Sequence, residues 1–255
     1  MIMEVHHHSH HPKKWREYIQ EFFMLFFAVF LGFMAEYYLE YRAERHKEND
    51  YINGMALDLK SDSAEMAIRI QGMESLKRMG KKLEKLLYKS TFTDNDIDSI
   101  YLISTKITAT LIAPNFSSGT IDQLKNAGGY RLIKNQEIVR KISDYDRWKK
   151  TINLQESVIM EHWVNAHKMQ NGIIHMTTIG MPEKLNEIIL DKNELNRIAV
   201  LTGSKFLNSS KKALYEYANY IWVLGGYVSY YEIMIKMQQQ NANELLKLID
   251  KELDH

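Results

Sequence analysis

Five imidazoles stand close together near the N-terminus, His6, His7, His8, His10 and His11, in the run VHHHSHHP. Side chains of this type can hold a divalent transition metal or report pH through a near-neutral pKa. A tract at a chain end has no fixed ligand geometry, so the expectation is an inert tail in which these five are weak metal candidates. A second set, Glu161, His162 and His167, raises metal or acid/base chemistry. No HExxH pattern is present, and two histidines five apart on a helix point in different directions. A third, Asn115, Ser117, Ser118 and Gly119, could offer free N–H groups to an anion at a helix start. No Walker pattern, Rossmann strand or suitably placed Lys accompanies it, which favours a tight structural connection. Spacing assembles no nucleophile, base and orienting group, so no catalytic residue, cofactor or enzyme activity is expected.

Composition points to long helices with short joints. Among 255 residues there are 3 Pro and 12 Gly, too few turn signals for an all-β chain. That length allows one large or two modest domains. Lys and Arg total 33 against 32 Asp and Glu, a formal charge of +1, so no global field recruits nucleic acid. The absence of Cys removes disulfides, thiolate metal sites and Cys nucleophiles, and leaves the compartment open.

The element that organises the chain is Phe22 to Ala35, FFMLFFAVFLGFMA, fourteen residues without a charge. Extended to Leu39 it spans eighteen residues with one carboxylate, roughly 27 Å of helix against about 30 Å of hydrocarbon. Lys13, Lys14 and Arg16 with Trp15 and Tyr18 precede it, and Tyr37, Tyr38 and Tyr41 follow. Aromatic and basic residues at the edges of an apolar run are what a membrane interface selects. The competing readings are a buried core helix and a cleavable signal peptide, but no small-x-small cleavage pattern is present, since Phe33 stands two before Ala35. An uncleaved membrane anchor is expected, lying on residues 19–39 behind a cytoplasmic His-rich, basic tail at 1–18. Lys13, Lys14 and Arg16 balance Arg42, Arg45 and Lys47, so loop charge does not orient the span. A short tail that need not be translocated favours an N-terminus inside.

Ala28, Gly32 and Glu36 share one helix row, with Glu21 and Leu25 beneath. Small residues at that spacing let two backbones approach, and a carboxylate near the membrane edge prefers a protein-facing or watery position. Self-association through this row is expected; the alternative is a lipid-facing helix whose Glu36 reaches headgroup water. In a third arrangement, several copies set Glu21 and Glu36 around a shared axis as a channel or proton-coupled assembly.

Beyond the span, residues 40–90 read as a long juxtamembrane helix. Its row Ile52, Leu59, Met66, Met73, Gly80, Leu87, with Met55, Ile70, Leu76 and Leu83, is a heptad-like seam that needs a partner, either the rest of the chain or a second copy. Residues 91–255 read as a helical bundle packing with 50–90. Thr93 with Asp96 marks a helix start, and Pro114 with Asn115 ends that helix. Thr120 with Gln123 predicts a second capping box; Gly128 and Gly129 close the short helix, Tyr130 to Ile133 form an apolar joint, and Asn135 caps the next. That next helix, from Gln136 to about His175, carries an apolar row at Ile138, Ile142, Tyr145, Trp148, Ile152, Ile159, Trp163 and Ala166. Two further helices follow Gly180, with a box at Asp191 and Glu194. Between Ala213 and Ile235 the chain could offer a second span, but five Tyr among Tyr217 to Tyr231 and the pair Gly225, Gly226 favour a buried bundle helix with a close crossing.

Met3 to Asp62 resembles the opening of an uncharacterised single-span membrane protein family of Bacteroidota defined by a domain of unknown function. Thr120 to Tyr145, TIDQLKNAGGYRLIKNQEIVRKISDY, is similar to that family's central motif through Leu124, Gly128, Leu132, Ile133, Asn135 and Ile142. Together the two pieces cover about a third of the chain. The resemblance implies an inner-membrane anchor, a helical domain outside the cytoplasm and a native His tract. It carries no activity with it, and this chain departs from it in a Phe-rich span where commoner members have a Gly-Glu-rich one.

The sequence thus predicts an all-α protein whose single N-terminal transmembrane helix continues into a long helix and an antiparallel bundle. Its expected role is a membrane-anchored scaffold or interaction protein whose partners are the lipid bilayer, other copies of itself or other membrane proteins. A ligand-sensing helical module is the alternative, distinguished by a pocket with convergent polar groups.

Overall fold

The computed structural model describes residues 14–110, 112–175 and 205–253. Within them the chain forms five helices, α1 (Trp15–Leu87), α2 (Asp94–Ala109), α3 (Gly119–Asn126), α4 (Gln136–Ile173) and α5 (Lys211–Leu253), with one 3₁₀ turn at Gly129–Arg131. The architecture is the expected all-α one, a long N-terminal helix and a helical bundle. The chain divides into two compact units, Met1–Tyr51 and Ile52–His255.

In the first unit α1 begins at Trp15, ahead of the expected boundary at residue 19. The Glu17 carboxylate accepts the Lys14 N–H at 3.2 Å, which satisfies one of the amides a helix start leaves open. The flank Trp15 to Tyr18 is therefore helical. No residue from Phe22 to Tyr41 is buried. α1 is long and apolar enough to cross a membrane, and none of its apolar window is buried within the chain.

The second unit is a bundle whose first wall is the remainder of α1. Ile52, Met55, Leu59, Met66, Met73, Leu76, Leu83 and Leu87 are all buried within this one chain, so the seam finds its partner here and not in a second copy. α5 runs antiparallel to α1: Lys77 pairs with Glu232 at 2.5 Å, Glu74 with Lys236 at 3.4 Å, and Gln239 Nε2 donates to Ser63 O at 3.0 Å. α4 also runs antiparallel to α5, through a His162–Tyr227 ring stack at 3.8 Å and a Lys141–Glu244 pair at 2.9 Å. The charge-free part of α5 turns Tyr217, Ile221, Leu224, Val228 and Tyr231 into the core. It is a core wall, and among the described residues α1 alone meets the length and apolarity of a span.

The apolar row of α4 differs from expectation in one respect. Trp148 and Trp163 are half-buried, while Lys149 is buried in the row between Tyr145 and Ile152. Tryptophan is bulky and carries an N–H that must find an acceptor, so it sits at the rim, where Trp163 Nε1 donates to Thr108 O at 3.2 Å. The end of α4 is tied to the segment leading into α5 by an antiparallel bridge, Ile174 to Phe206, and to α2 by the Tyr101 hydroxyl donating to His175 O at 2.6 Å. The helices expected after Gly180, with the Asp191 and Glu194 box, lie outside the described residues.

Capping follows the side chains. Thr93 Oγ1 accepts the Asp96 N–H while Asp96 accepts the Thr93 N–H, the reciprocal box that starts α2. A hydrogen bond from Lys89, reinforced by Thr93, holds the Asp96 carboxyl down at about 2. Asn135 Oδ1 accepts from Glu137 N and Ile138 N to start α4. After α3, Gly128 adopts φ +66°, the left-handed conformation only glycine takes freely. A Cβ there would meet nothing within 4 Å, so Gly128→Ala is expected to cost about 1 kcal/mol from the backbone alone. Thermal unfolding of the two proteins side by side would measure it; an unchanged midpoint would show that the turn relaxes.

Candidate functional site

The apolar part of α1 has two faces. Phe22, Phe26 and Phe30 stack at ring-centroid distances of 6.2 and 6.0 Å, and Phe23 stacks on Phe27 at 6.1 Å. These pairs are four residues apart, the spacing that superimposes side chains on a helix. At 100° per residue, Ala28 and Gly32 lie on the side away from these ladders, with Leu25 in the same row and Glu36 at its edge towards the Phe22 position. Ala28, Gly32 and Glu36 are exposed within the chain, and a Cβ on Gly32 would meet nothing within 4 Å. One face is thus thick with aromatic rings and the other small and ending in a carboxylate. The interface candidates Trp15, Tyr18, Tyr37 and Tyr38 are all exposed, 78% in the case of Trp15. The Arg42 guanidinium lies 6.0 Å from the Tyr38 ring and that of Arg45 5.8 Å from the Tyr41 ring. His6, His7, His8, His10 and His11 lie outside the described residues.

The connection between α2 and α3 is built differently from the anion site its residue types could have made. Three backbone N–H groups of this loop do point at carboxylates, but the carboxylates belong to α1. Asn115 N donates to Glu65 at 3.4 Å, Ser117 N to Asp62 at 2.7 Å and Thr120 N to Asp58 at 3.2 Å. Asp58, Asp62 and Glu65 recur at spacings of four and three and so lie along one face of α1. They occupy the electropositive start of α3 that an external anion would have needed. For this reason the expected Thr120–Gln123 capping box does not form: α3 begins at Gly119, Ser118 occupies the N-cap without a side-chain bond, and Asp58 supplies the acceptor from outside the helix.

Asp62 is the centre of the arrangement. It is 1% exposed, and its second oxygen accepts the Tyr145 hydroxyl at 2.7 Å. The Lys149 ammonium donates to Ser117 O and lies 5.6 Å from the Phe116 ring, and Gln238 Nε2 donates to Tyr145 O at 3.0 Å. Burial pushes the Tyr145 phenol up, helped by the Asp62 charge; burial pulls the Lys149 amine down, against the attraction of Asp62. α1, the loop, α4 and α5 are therefore locked by one buried polar network, and its groups satisfy one another.

The other motif residues serve the same connection. Leu124 and Ile133 are buried, Leu132 ends the 3₁₀ turn, Gly128 makes the left-handed bend, and Asn135 both caps α4 and donates to Glu252 of α5 at 2.7 Å. Thr120 packs against Gly54, where an added Cβ would come within 3.0 Å of its hydroxyl. His162 and His167 do not converge: His162 hydrogen-bonds the Tyr220 hydroxyl at 3.1 Å and stacks on Tyr227. Among the described residues no group of three His, Asp or Glu could hold a metal ion. The hollow beside the loop, about 860 Å³ and reached by Arg69, Asn115, Lys149 and Glu156, is an open depression.

Asp62 and Lys149 were missed from sequence, although each left a mark. Asp62 interrupts the seam of α1 between Leu59 and Met66, and Lys149 interrupts the row of α4 between Tyr145 and Ile152. Opposite charges breaking two apolar rows are the trace of a buried network. No family model, curated protein or solved structure matches this chain.

Proposed function

We propose that this protein is a membrane-anchored helical scaffold that self-associates through its span. The observation that carries this reading is the division of α1 into a face of stacked Phe rings and a small-residue face of Ala28, Gly32 and Glu36, none of them buried inside the chain. A span held only by lipid has no need of such sorting, whereas a helix that packs against another gains close backbone approach at its small residues. The bundle supports a scaffolding role in its own way: the buried network around Asp62 and the α2–α3 loop is occupied by the chain's own groups, leaving the outer surfaces for protein contacts. The N-terminus lies in the cytoplasm and the bundle in the periplasm, with the bacterial inner membrane as the site of insertion.

Gly32→Leu is the test of the association face. In native membranes it is expected to reduce chemically cross-linked oligomers several-fold while leaving the protein in the membrane fraction, because Leu is as apolar as the lipid it meets. Unchanged cross-linking would place the contact elsewhere. A monomer that co-purifies with no other protein would overturn the scaffold reading and favour a ligand-sensing module. Since the chain has no Cys, Lys14→Cys and Leu57→Cys can each report sidedness alone. A membrane-impermeant maleimide applied to intact cells with a permeable outer membrane is expected to label the second and not the first, and the reverse pattern would invert the topology.

A further inference from the structure

We infer that the bundle carries a second association surface, the outward face of α5, and that its occupant is the same face of a second copy. The inference rests on the self-association proposed above and adds an interface in the other unit. Trp222, Gly226, Tyr230, Ile233 and Met237 recur at spacings of four, four, three and four, so they form one stripe along α5. All five are exposed, Trp222 to 67% and Ile233 to 57%, although a helix face turned to water is normally polar. Tyr230 is 56% exposed, and Leu154 and Val158 of α4 widen the same apolar surface. Neither Gly225 nor Gly226 is explained within the chain: a Cβ on either would meet nothing within 4 Å. Glycine is the poorest helix former after Pro, so a glycine at the middle of an exposed aromatic stripe has its use in the close approach of another backbone.

The charges on either side of the stripe choose the occupant. Trp222 and Gly226 stand between two grooves, one of about 490 Å³ towards α1 and one of about 530 Å³ towards α4. The α1 wall carries Lys77, Arg78 and Lys81 with Glu74 and Glu84. Lys77 is paired with Glu232 and Glu74 with Lys236, which leaves Arg78 and Lys81 against Glu84. On the α4 side, the stretch Thr151 to Asn165 holds no Lys or Arg and presents the exposed Glu161, while Glu156 of the same stretch faces the hollow beside the α2–α3 loop. The stripe therefore has a basic margin and an acidic one. Lys81 and Glu161 also stand at one level, because Gly80 faces Ile221 while His162 touches Tyr220 and Tyr227. A two-fold pairing with the α5 helices parallel brings the basic margin of each copy onto the acidic margin of the other, twice, which is the self-complementarity an isologous interface requires. The aromatic and aliphatic groups of the stripe supply an apolar centre of several hundred Å² per copy, the greater part of the roughly 800 Å² per partner that a standard interface covers.

The test uses the full-length protein in native membranes, with single cysteines in the Cys-free chain and an oxidant that forms disulfides. Ile233→Cys, in the stripe, is expected to give several-fold more disulfide dimer than Leu57→Cys, an exposed position on α1. Gly226→Leu, combined with Ile233→Cys, is expected to lower that yield several-fold while leaving the melting temperature equal or higher, an outcome a merely structural glycine would not give. Lys81→Glu or Glu161→Lys alone is expected to lower the yield, and the two together to restore it. Equal cross-linking at Ile233→Cys and Leu57→Cys, or failure of the double reversal to restore it, overturns the interface. Ala28→Cys separates the two readings: dimer there but not at Ile233→Cys sinks this inference and leaves the span association standing, whereas dimer at neither sinks both.

Discussion

Replacing Asp62 by alanine is expected to destabilise the bundle by about 3–5 kcal/mol, the cost of removing one member of a buried charged network. Three effects combine. The Ser117 N–H and the Tyr145 hydroxyl lose their acceptor in a place water does not reach. Lys149 loses the negative charge that offsets its burial, so its amine is pulled down further. A cavity the size of a carboxylate opens between α1 and α4. Asp62→Asn keeps the shape and one acceptor oxygen and should cost roughly half as much or less, about 1–2 kcal/mol. Denaturant unfolding in detergent, followed through the fluorescence of Trp148 and Trp163 on α4, would measure both. A loss under about 1 kcal/mol for Asp62→Ala would mean that water enters the site and that the network is not closed. Coupling can be isolated with Lys149→Met: if the two residues act together, the Asp62→Ala, Lys149→Met pair should lose less than the sum of the single changes.

Alkaline pH is expected to unfold the bundle steeply. Tyr101, Tyr145, Tyr217 and Tyr231 are all buried, and burial is the leading cause that raises each phenol above its ordinary value of 10.0. Tyr101 and Tyr217 are pushed up to about 12. A group with a raised folded value keeps its proton in the folded chain at a pH where the unfolded chain has released it. Its contribution to stability is therefore complete below pH 10 and is lost as pH rises towards and through about 12. Between those limits each such tyrosine removes about 1.4 kcal/mol per pH unit, and four act together. Helix content and tyrosinate absorbance should be followed in one titration. The tyrosinate absorbance of these four should appear together with the loss of helix. A single smooth ionisation centred near pH 10 with helix retained would show that the four are not shielded.

The main lines of the fold were legible because helix signals are local. The Thr93–Asp96 box, the Asn135 cap and the glycine bend at Gly128 each depend on residues within a turn or so of one another, and each stands where the residue types placed it. Burial rows were legible to the extent that they were apolar, as in Ile52, Leu59 and Met66. The failures share one cause. A capping box at Thr120 was a sound local expectation, yet Asp58, some sixty positions away, took over the start of α3. Trp148 was assigned to a core row that Lys149 occupies, because an ammonium is tolerable inside when Ser117, Phe116 and Asp62 surround it, and those neighbours come from two other parts of the chain, the α2–α3 loop and α1.

The sequence by itself determined the helical class, the apolar run with its aromatic belts, and the places where helices start and stop, since these depend on composition and on spacings of a few residues. Only the tertiary structure decided what those elements are for within the chain. It assigned the seam of α1 to intramolecular packing, filled the loop that could have bound an anion with carboxylates of α1, made the charge-free part of α5 a core wall, and left the Trp222 to Met237 stripe facing outward. The physical reason is that periodicity names a face but not its neighbour: which surface meets another helix, a membrane or a second copy is settled by contacts between residues far apart in the chain.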